Sequence, residues 1–144
     1  MKNLKNQSPK ILVVGDLMID HYLWGSSNRI SPEAPVQIVN IKNESVVLGG
    51  AGNVINNLKA LGAQVDVISV LGGCEISDEL KSLLDNIDID TQHLITQKDR
   101  ITSKKSRIIA SHQQVVRYDR ESTDEINNES QNVALEIFEK IISD

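Results

Sequence analysis

Cysteine and histidine are scarce in this sequence, which has one cysteine, Cys74, and three histidines, at positions 21, 93 and 112. One thiol cannot form a disulfide within the chain or build a cysteine metal cluster, so Cys74 is interpreted as a buried or incidental thiol. The histidines lack the short spacings of a zinc site. We therefore predict no metal site in the chain and assign no role to Cys74.

Long apolar runs are also absent. No segment approaches the roughly 18 residues that a membrane-spanning helix needs, and the start of the chain, MKNLKNQSPK, lacks the apolar stretch of a secretory signal. Fifteen basic and twenty acidic residues give a formal net charge of -5, which disfavours nucleic acid or an anionic membrane surface as a partner. We expect a cytoplasmic protein that binds neither.

The composition fits one ordinary globular domain, with 144 residues, 40% hydrophobic and 24% charged. Lys10–Val14 is a short apolar run of branched residues, typical of a buried strand, and we expect it at the centre of a sheet. Residues 64–71 predict a second strand, and residues 88–94 lead to a short third one. Strands that alternate with helices in this way predict a parallel sheet.

Two further regions favour antiparallel strands. Residues 21–24, 36–42 and 45–48 form three extended pieces, with a rigid turn at residues 31–35 (SPEAP) between the first two. Residues 102–110 and 114–119 predict a hairpin, although its turn lacks a glycine. These regions are interpreted as a small antiparallel excursion from the main sheet.

Three helices are predicted. The first covers residues 51–61 with Gly62 as its C-terminal cap, the second is capped by Ser77 and ends near Asn86, and the third covers residues 129–142. The apolar positions at helical spacing in the first and third helices are Val54, Leu58, Leu61, Val133, Ile137 and Ile141. Because a parallel α/β sheet usually has more strands than these, we expect the chain to be a truncated part of a larger domain.

The first candidate site follows the opening strand, where Gly15 and Asp16 are followed by Asp20. Ligands of open α/β sheets bind beyond the carboxyl ends of the strands, so these two carboxylates are expected to face a cleft. There they can accept charge-assisted hydrogen bonds from sugar hydroxyls. A turn with a helix-capping aspartate is the competing interpretation.

The second candidate is the run GGAGN, residues 49–53, at the start of a predicted helix. Glycines permit positive φ angles and a close approach of the backbone to a ligand, and helix N-terminal amides attract anions or polar oxygens. Asn53 could both donate to and accept from a hydroxyl. A dinucleotide-binding fingerprint would need a third glycine at position 55, which is isoleucine, so that class is disfavoured. A plain glycine turn remains the alternative.

The third candidate is a set of cations along the predicted hairpin. They are Lys104, Lys105, Arg107, Arg117 and Arg120, with Gln113 and Gln114 at the bend. Alternation along a strand places Lys105 and Arg107 on one face, and such a pair of cations suits a phosphate. Exposed strand cations that merely protect an edge are the competing interpretation. Composition and spacing alone thus indicate a sugar-sized polar ligand on an α/β sheet.

In this order, these residues resemble the ribokinase (PfkB) family of carbohydrate kinases, in which an opening strand with GDxxxD is followed by a β lid and by GGAxN at a helix start. Within the family the sequence is similar to the heptose 7-phosphate kinases that form the first domain of bifunctional enzymes of ADP-heptose synthesis. The segments that carry the resemblance are GDLMIDHYLWGSSNRISPEAPVQIV, LGGAGNVINNLKALGA and TSKKSRIIASHQQVVRYDRE. They lie within residues 15–120. The fold implied is a ribokinase-like α/β parallel-sheet sandwich with a small antiparallel β lid, of which residues 1–144 would be the N-terminal portion.

At the sugar end, the resemblance implies that Asp16 and Asp20 bind sugar hydroxyls. It implies that Gly49 and Gly50 form the hinge on which the lid closes, and that Asn53 adds a sugar contact. Two small departures are GGAGN where these kinases usually read GGAAN, and the lysine that precedes Lys105. Neither alters the proposed contacts.

At the phosphate end, the resemblance places Lys105 where the heptose kinases have a phosphate-binding lysine, with Arg107 and Gln114 as weaker neighbours. A sugar phosphate needs a cation that an unphosphorylated sugar does not. The lid would comprise about residues 20–48 and 102–119. Because lid strands of this family commonly pair with those of a second subunit, a homodimer is expected, which would also cover exposed strand edges.

The catalytic base of the family is an aspartate in a late GAGD sequence, which does not occur in this chain. The resemblance therefore implies that ATP and Mg²⁺ are bound mainly by a C-terminal half outside the chain. Phosphoryl transfer depends on positioning and electrostatic stabilisation, so this chain alone is expected to be inactive.

The sequence is accordingly interpreted as the sugar-binding and lid portion of a D-glycero-β-D-manno-heptose 7-phosphate kinase, which phosphorylates the anomeric hydroxyl in lipopolysaccharide core biosynthesis. Two alternatives stay open. One is a PfkB-type kinase for another sugar or a nucleoside. The other is a non-catalytic sugar-binding or dimerising module.

Overall fold

A computed structural model describes residues 8–143, which form two β-sheets and three helices. The elements in chain order are β1 (Lys10–Val14), β2 (Leu17–Ile30), β3 (Gln37–Gly50), α1 (Ala51–Ala60), β4 (Gln64–Gly72), α2 (Glu75–Asp85), β5 (Leu94–Gln97), β6 (Ser103–Ala110), β7 (Gln113–Arg120) and α3 (Asn128–Ser143). No helix in this part of the chain is long and apolar enough to cross a membrane.

The first sheet is parallel, as predicted, with strand order β1-β4-β5. The expectation that β1 lies at the centre is wrong for the described residues, because β4 pairs with β1 on one side and with β5 on the other. The burial pattern agrees with this strand order. Val67, Ile68 and Leu71 of β4 are almost fully buried, whereas Val14 at the end of β1 is 59% exposed.

The second sheet has the order β3-β2-β6-β7. The three extended pieces predicted between residues 21 and 48 form two long strands, β2 and β3, that pair with each other in antiparallel fashion. The predicted hairpin is present as β6 and β7. The sheet is mixed rather than purely antiparallel, because β2 and β6 run parallel to each other. Helices and strands of the first sheet separate β2 from β6 in the chain, which allows the parallel pairing.

The hairpin turn explains how a sequence without glycine joins β6 and β7. Ala110 pairs with Gln113, so the loop contains only Ser111 and His112. Both have positive φ angles, 51° and 67°. Two-residue hairpin loops of type I′ need positive φ at both positions, which matches the strand twist.

Helix α1 is present as predicted, but of its three predicted apolar positions only Leu58 packs against the core. Gly52 and Ile55 are its buried residues, whereas Val54 is 50% exposed and Leu61 is 84% exposed. Gly62 has a φ of 87°, the left-handed conformation expected of a glycine that ends a helix. The helix is therefore oriented by the small residue Gly52, which packs against Leu48 of β3.

Helix α2 begins earlier than predicted. Its N-terminal cap is Cys74, so the expectation that Ser77 is the cap is wrong. Ser77 is buried in the first turn, where its hydroxyl donates to the carbonyl oxygen of Gly72 and contacts Thr102 Oγ1 at 2.7 Å. The serine thus links α2 to the end of β4.

Helix α3 covers the predicted residues, but only Ser130 is fully buried among its described residues. Phe138 is 40% exposed. The main core lies instead between the parallel sheet, α1, α2 and the base of the second sheet. Its most buried members are Ile19, Ile55, Leu80 and Leu84.

Candidate functional site

The second sheet has one face that packs against the body of the protein and one that carries charged side chains. Ile19 and Ser106 belong to the packed face and are almost fully buried, and α2 contacts β2 and β3 there. Side chains alternate between the faces of a strand, so Asp20 and its register partner Lys105 point to the other side. We call this side the polar face, which comprises Asp20, Tyr22, Lys105, Arg107, Arg117 and Asp119.

An open cavity of about 690 Å³ lies where β1 ends and the polar face begins. Its lining includes Asp16, Met18, Arg100, Ser103 and the acidic loop of residues 121–126. Asp16 is exposed, and its carbonyl oxygen accepts a hydrogen bond of 3.0 Å from Ala51 N–H at the start of α1. Asp16 therefore lies at the carboxyl end of the opening strand and in a cleft, as predicted, whereas Asp20, predicted to face the same cleft, is not among the residues that line it.

Gly49 and Gly50 lie next to the two aspartates. A Cβ atom on Gly49 would lie 2.5 Å from Asp20 Oδ2, so the absent side chain makes room for that carboxylate. Gly50 has a φ of 56°, and a Cβ there would lie 2.7 Å from the carbonyl oxygen of Asp16. The glycine pair is thus required by close packing against both aspartates and by one positive φ angle.

Asn53 lies in the first turn of α1 and is exposed. The N-terminal cap of this helix is Gly50, which has no side chain to bond the first-turn amides. The Ala51 hydrogen bond holds the start of this helix beside the cavity residue Asp16, whereas Asn53 is not among the residues that line the cavity.

Arg107 and Asp20 form the ion pair with the shortest nitrogen–oxygen distance on the polar face. Arg107 Nη1 donates to Asp20 Oδ1 at 2.6 Å, and the two side chains are 19% and 20% exposed. The guanidinium also lies over the ring of Tyr22, 5.2 Å from its centroid, and donates to the carbonyl oxygen of Lys105 at 3.4 Å. Partial burial makes such a pair stronger than an exposed one.

Lys105 is held by two carboxylates. Its Nζ lies 2.8 Å from Glu121 Oε2 and 3.4 Å from Asp119 Oδ2. The hydrogen bond to Glu121 and, less strongly, the one to Asp119 raise the pKa of the Lys105 ammonium. Because Glu121 also lines the cavity, it connects that cavity to the polar face.

Asp119 is shared between two cations. Arg117 donates to both of its oxygens, at 2.8 Å and 2.7 Å. These bonds, followed by that from Lys105, lower the pKa of the Asp119 carboxyl. The hydrogen bonds to Asp119 likewise raise the pKa of the Arg117 guanidinium. All these groups are therefore charged at neutral pH.

The other predicted residues lie apart from this cluster. Lys104 points to the packed face, where its Nζ bonds Glu79 of α2 at 2.9 Å. Gln114 is exposed and pairs with Ile109 near the hairpin turn. It stands five residues along β7 from Asp119, a distance of about 16 Å at the usual strand rise. The structure thus brings Asp20, Gly49, Lys105 and Arg107 together and places Gln114 at the far end of the same hairpin.

Sequence reasoning missed Asp119 and Glu121, the two carboxylates that hold Lys105. The signal was available in the segment RYDRE, because period-two alternation places Arg117, Asp119 and Glu121 on one face. Within residues 8–143, no group of three or more histidine, cysteine or acidic side chains is arranged to hold a metal ion.

Comparison with known proteins gives one family. The family model described as "pfkB family carbohydrate kinase" matches residues 8–142. The chain is 64% identical over 137 residues to the bifunctional protein HldE of Aliarcobacter butzleri, covering 95% of this chain and 29% of that protein. It is 57% identical over 143 residues to the bifunctional protein HldE of Sulfurimonas denitrificans, covering 99% of this chain and 30% of that one. The chain therefore spans less than a third of the length of these relatives.

Solved structures agree at the level of the fold. The nucleoside kinase of Methanocaldococcus jannaschii, an archaeal member of the ribokinase family, superimposes with a TM-score of 0.58 at 21% identity. The match covers 77% of this chain and 36% of that kinase. At this identity the likeness concerns the fold alone.

Proposed function

The chain belongs to the pfkB family of carbohydrate kinases and has its ribokinase-like α/β fold, and from this premise we propose that it is the sugar-binding and lid portion of a heptose 7-phosphate kinase. The complete protein would transfer the γ-phosphoryl group of ATP to the anomeric hydroxyl of D-glycero-β-D-manno-heptose 7-phosphate. The product would enter ADP-heptose synthesis for the lipopolysaccharide core. Since ATP is a cytoplasmic metabolite, we place the reaction in the cytoplasm.

The observation that carries this proposal is the continuity between the Asp16 cavity and the polar face. Asp16 lines the cavity, and Glu121 lines it too while bonding Lys105. A ligand that extends from the cavity to the polar face would therefore meet the Asp16 carboxylate in the cavity and, on the polar face, the cations Lys105 and Arg107 with their carboxylate partners. A sugar with hydroxyls and a terminal phosphate has that distribution of groups.

We assign roles to the side chains on this basis. Asp16 and Asp20 accept hydrogen bonds from sugar hydroxyls, and Asn53 adds a further polar contact. Lys105 and Arg107 bind the phosphate. Gln114 is too far along the hairpin to reach the same ligand unless the hairpin bends, so its predicted contact is the weakest of the set.

The glycine pair supports the proposal that the second sheet acts as a lid. Gly49 and Gly50 are the last two residues of β3 in the second sheet, and α1 follows them directly. A residue without Cβ can absorb changes of φ and ψ. Lid closure would exclude water from the transferring phosphoryl group.

We propose that ATP and Mg²⁺ bind mainly to protein outside this chain. This proposal follows from the resemblance, since the family's GAGD sequence does not occur in this chain. When bound, magnesium would neutralise the phosphates of the nucleotide. The chain alone is proposed to be inactive, because the base and the phosphate-binding amides of the family lie in GAGD.

We also propose a homodimer through the second sheet. Both outer strands of this sheet, β3 and β7, pair on one side only among the described residues. The sheet also exposes apolar side chains, including Ile41 at 38% and Val47 at 46%. A second copy of the sheet would cover these edges and side chains. Sedimentation equilibrium of the purified protein tests this directly, and a monomer at micromolar concentration would contradict it.

The test of the function is substrate-dependent ATP consumption by the complete reading frame that encodes this chain. D-glycero-D-manno-heptose 7-phosphate is compared with ribose, fructose and adenosine. Turnover confined to the heptose phosphate supports the proposal. Turnover only on an unphosphorylated compound would retain the family and exclude the heptose assignment, and no turnover on any of them would favour a binding or dimerising module.

The phosphate role of Lys105 has a matched control in the neighbouring residue. Lys105→Ala should weaken binding of the 7-phosphate sugar roughly 10- to 100-fold, because it removes a charge-assisted contact. Lys104→Ala removes the same charge from the opposite face of the strand and should leave that affinity nearly unchanged. Equal affinities of the Lys105→Ala variant and the wild type would exclude the phosphate role.

A further inference from the structure

The residues proposed to bind opposite ends of the substrate bind each other in this structure. Asp20, proposed to bind hydroxyls, accepts a 2.6 Å hydrogen bond from Arg107, proposed to bind phosphate. A hydroxyl that donates to this oxygen of Asp20 competes with Arg107. A phosphate that accepts from this nitrogen of Arg107 competes with Asp20.

The rest of the polar face is also compensated in charge. Its three cations are Lys105, Arg107 and Arg117, and the three carboxylates that pair with them are Asp20, Asp119 and Glu121. Within the part of the chain that the structure describes, none of these cations is without a carboxylate partner. An anion that binds one of these cations therefore competes with the carboxylate that already holds it.

Arg107 is better suited to change partner than Asp20. The Asp20 side chain is short, and its carboxylate lies against the backbone at Gly49, where a Cβ would collide with it. Arg107 has a long side chain and two further contacts, with the Tyr22 ring and the carbonyl oxygen of Lys105. These contacts can keep the guanidinium on the polar face after it leaves Asp20.

We propose that Asp20 and Arg107 form an exchangeable pair that couples recognition of the phosphate to recognition of the sugar. The phosphate takes Arg107, and this exchange releases the Asp20 oxygen for a sugar hydroxyl. An unphosphorylated sugar must break the pair without replacing the contact that Arg107 loses. The pair thereby selects for phosphorylated sugars, and this role rests on the function proposed above.

Loss of one charge-assisted hydrogen bond corresponds to roughly 10- to 100-fold in affinity. The exchange therefore predicts effects of opposite sign in an Arg107→Met variant, which keeps the apolar stem and removes the charge. Binding of D-glycero-D-manno-heptose 7-phosphate should weaken, whereas binding of unphosphorylated D-glycero-D-manno-heptose should tighten about tenfold, because Asp20 is already released. If Arg107 only bound phosphate, Arg107→Met would weaken binding of the phosphorylated sugar and leave binding of the unphosphorylated sugar unchanged.

The experiment is titration calorimetry of the complete reading frame with both sugars, for the wild type, Arg107→Met and the control Lys104→Met. Lys104 is a cation of the same strand whose side chain points to the packed face and pairs with Glu79 rather than Asp20, so its variant should retain the wild-type ratio of affinities. Unchanged or weaker binding of the unphosphorylated sugar by Arg107→Met overturns the exchange, provided that its urea unfolding midpoint matches the wild type.

A second titration tests the exchange without a sugar ligand and without the Arg107→Met variant. Asp20→Asn should bind inorganic phosphate several-fold more tightly than the wild type, since Arg107 no longer has a charged partner. Equal phosphate affinities would overturn the exchange. If Asp20→Asn gains phosphate affinity but the wild type binds neither heptose, the exchange stands and the heptose assignment fails.

Discussion

The two β-sheets of this protein differ in the burial and charge of the side chains that they carry. The parallel sheet of β1, β4 and β5 is built from apolar residues, and Val67 and Leu71 of its middle strand are almost fully buried. The sheet of β3, β2, β6 and β7 has long strands, one packed face and one charged face, and β7 is exposed along its whole length. Stability is therefore concentrated at the parallel sheet and its helices, while the proposed binding chemistry is concentrated on the polar face.

The largest effect expected from this comparison is in the core. Ile55→Ala in α1 should lower the free energy of unfolding by about 2–5 kcal/mol, because it removes a fully buried side chain and leaves a cavity. Val54→Ala, one residue earlier on the same helix, changes a side chain that is 50% exposed and should cost about 0.5 kcal/mol or less. Urea unfolding of both variants measures the difference. Equal losses would mean that α1 does not pack as described.

A smaller effect is expected where the two sheets meet. Gly49→Ala places a Cβ against the Asp20 carboxylate and should cost about 1–3 kcal/mol of stability, as overpacking does. It should also weaken sugar binding, because the carboxylate must move. Gly73→Ala is the control, since a Cβ there would meet only ordinary contacts at 3.8 and 4.0 Å. Calorimetry and urea unfolding together test the pair, and normal sugar binding by Gly49→Ala would contradict the role of Asp20.

The smallest effect is a dependence of stability on pH that originates in the polar face. Because Arg117 and Lys105 lower the pKa of Asp119 in the folded protein, this carboxylate contributes stability above its ordinary pKa. That contribution is lost as the pH falls through the lowered value. Asp119→Asn should therefore be slightly less stable than the wild type at neutral pH, and the difference should vanish in acid.

Glu136→Gln provides the comparison for this measurement, because Glu136 is an exposed carboxylate of α3. Urea unfolding at a series of pH values should show the acid-dependent loss for the wild type and Glu136→Gln alike. The stability difference between Asp119→Asn and the wild type could also persist below the lowered pKa of Asp119. That result would show that the ion pairs are not the source of the difference.

Local patterns determined most of the elements of this protein. The apolar run of β1 and the alternation of β4 were each sufficient to predict a strand, and the glycine that ends α1 was sufficient to predict the end of that helix. Hydrophobic period and glycine conformation act over only a few residues. The order of GDxxxD, GGAGN and the cation-rich hairpin also indicated the family. The position of Asp16 in a cleft at the carboxyl end of β1 was predicted on the same local grounds.

Only the tertiary structure decided which side chains became partners and which faces were buried. Ile55 rather than Val54 lies in the core because Gly52 sets the approach of α1 to β3, and Ser77 bonds Gly72 and Thr102 instead of capping a helix. Likewise, the Asp20–Arg107 pair joins residues 87 positions apart in the chain. It exists because β2 and β6 pair in parallel, and a register between distant strands is fixed by the packing of the whole sheet rather than by either strand's own sequence.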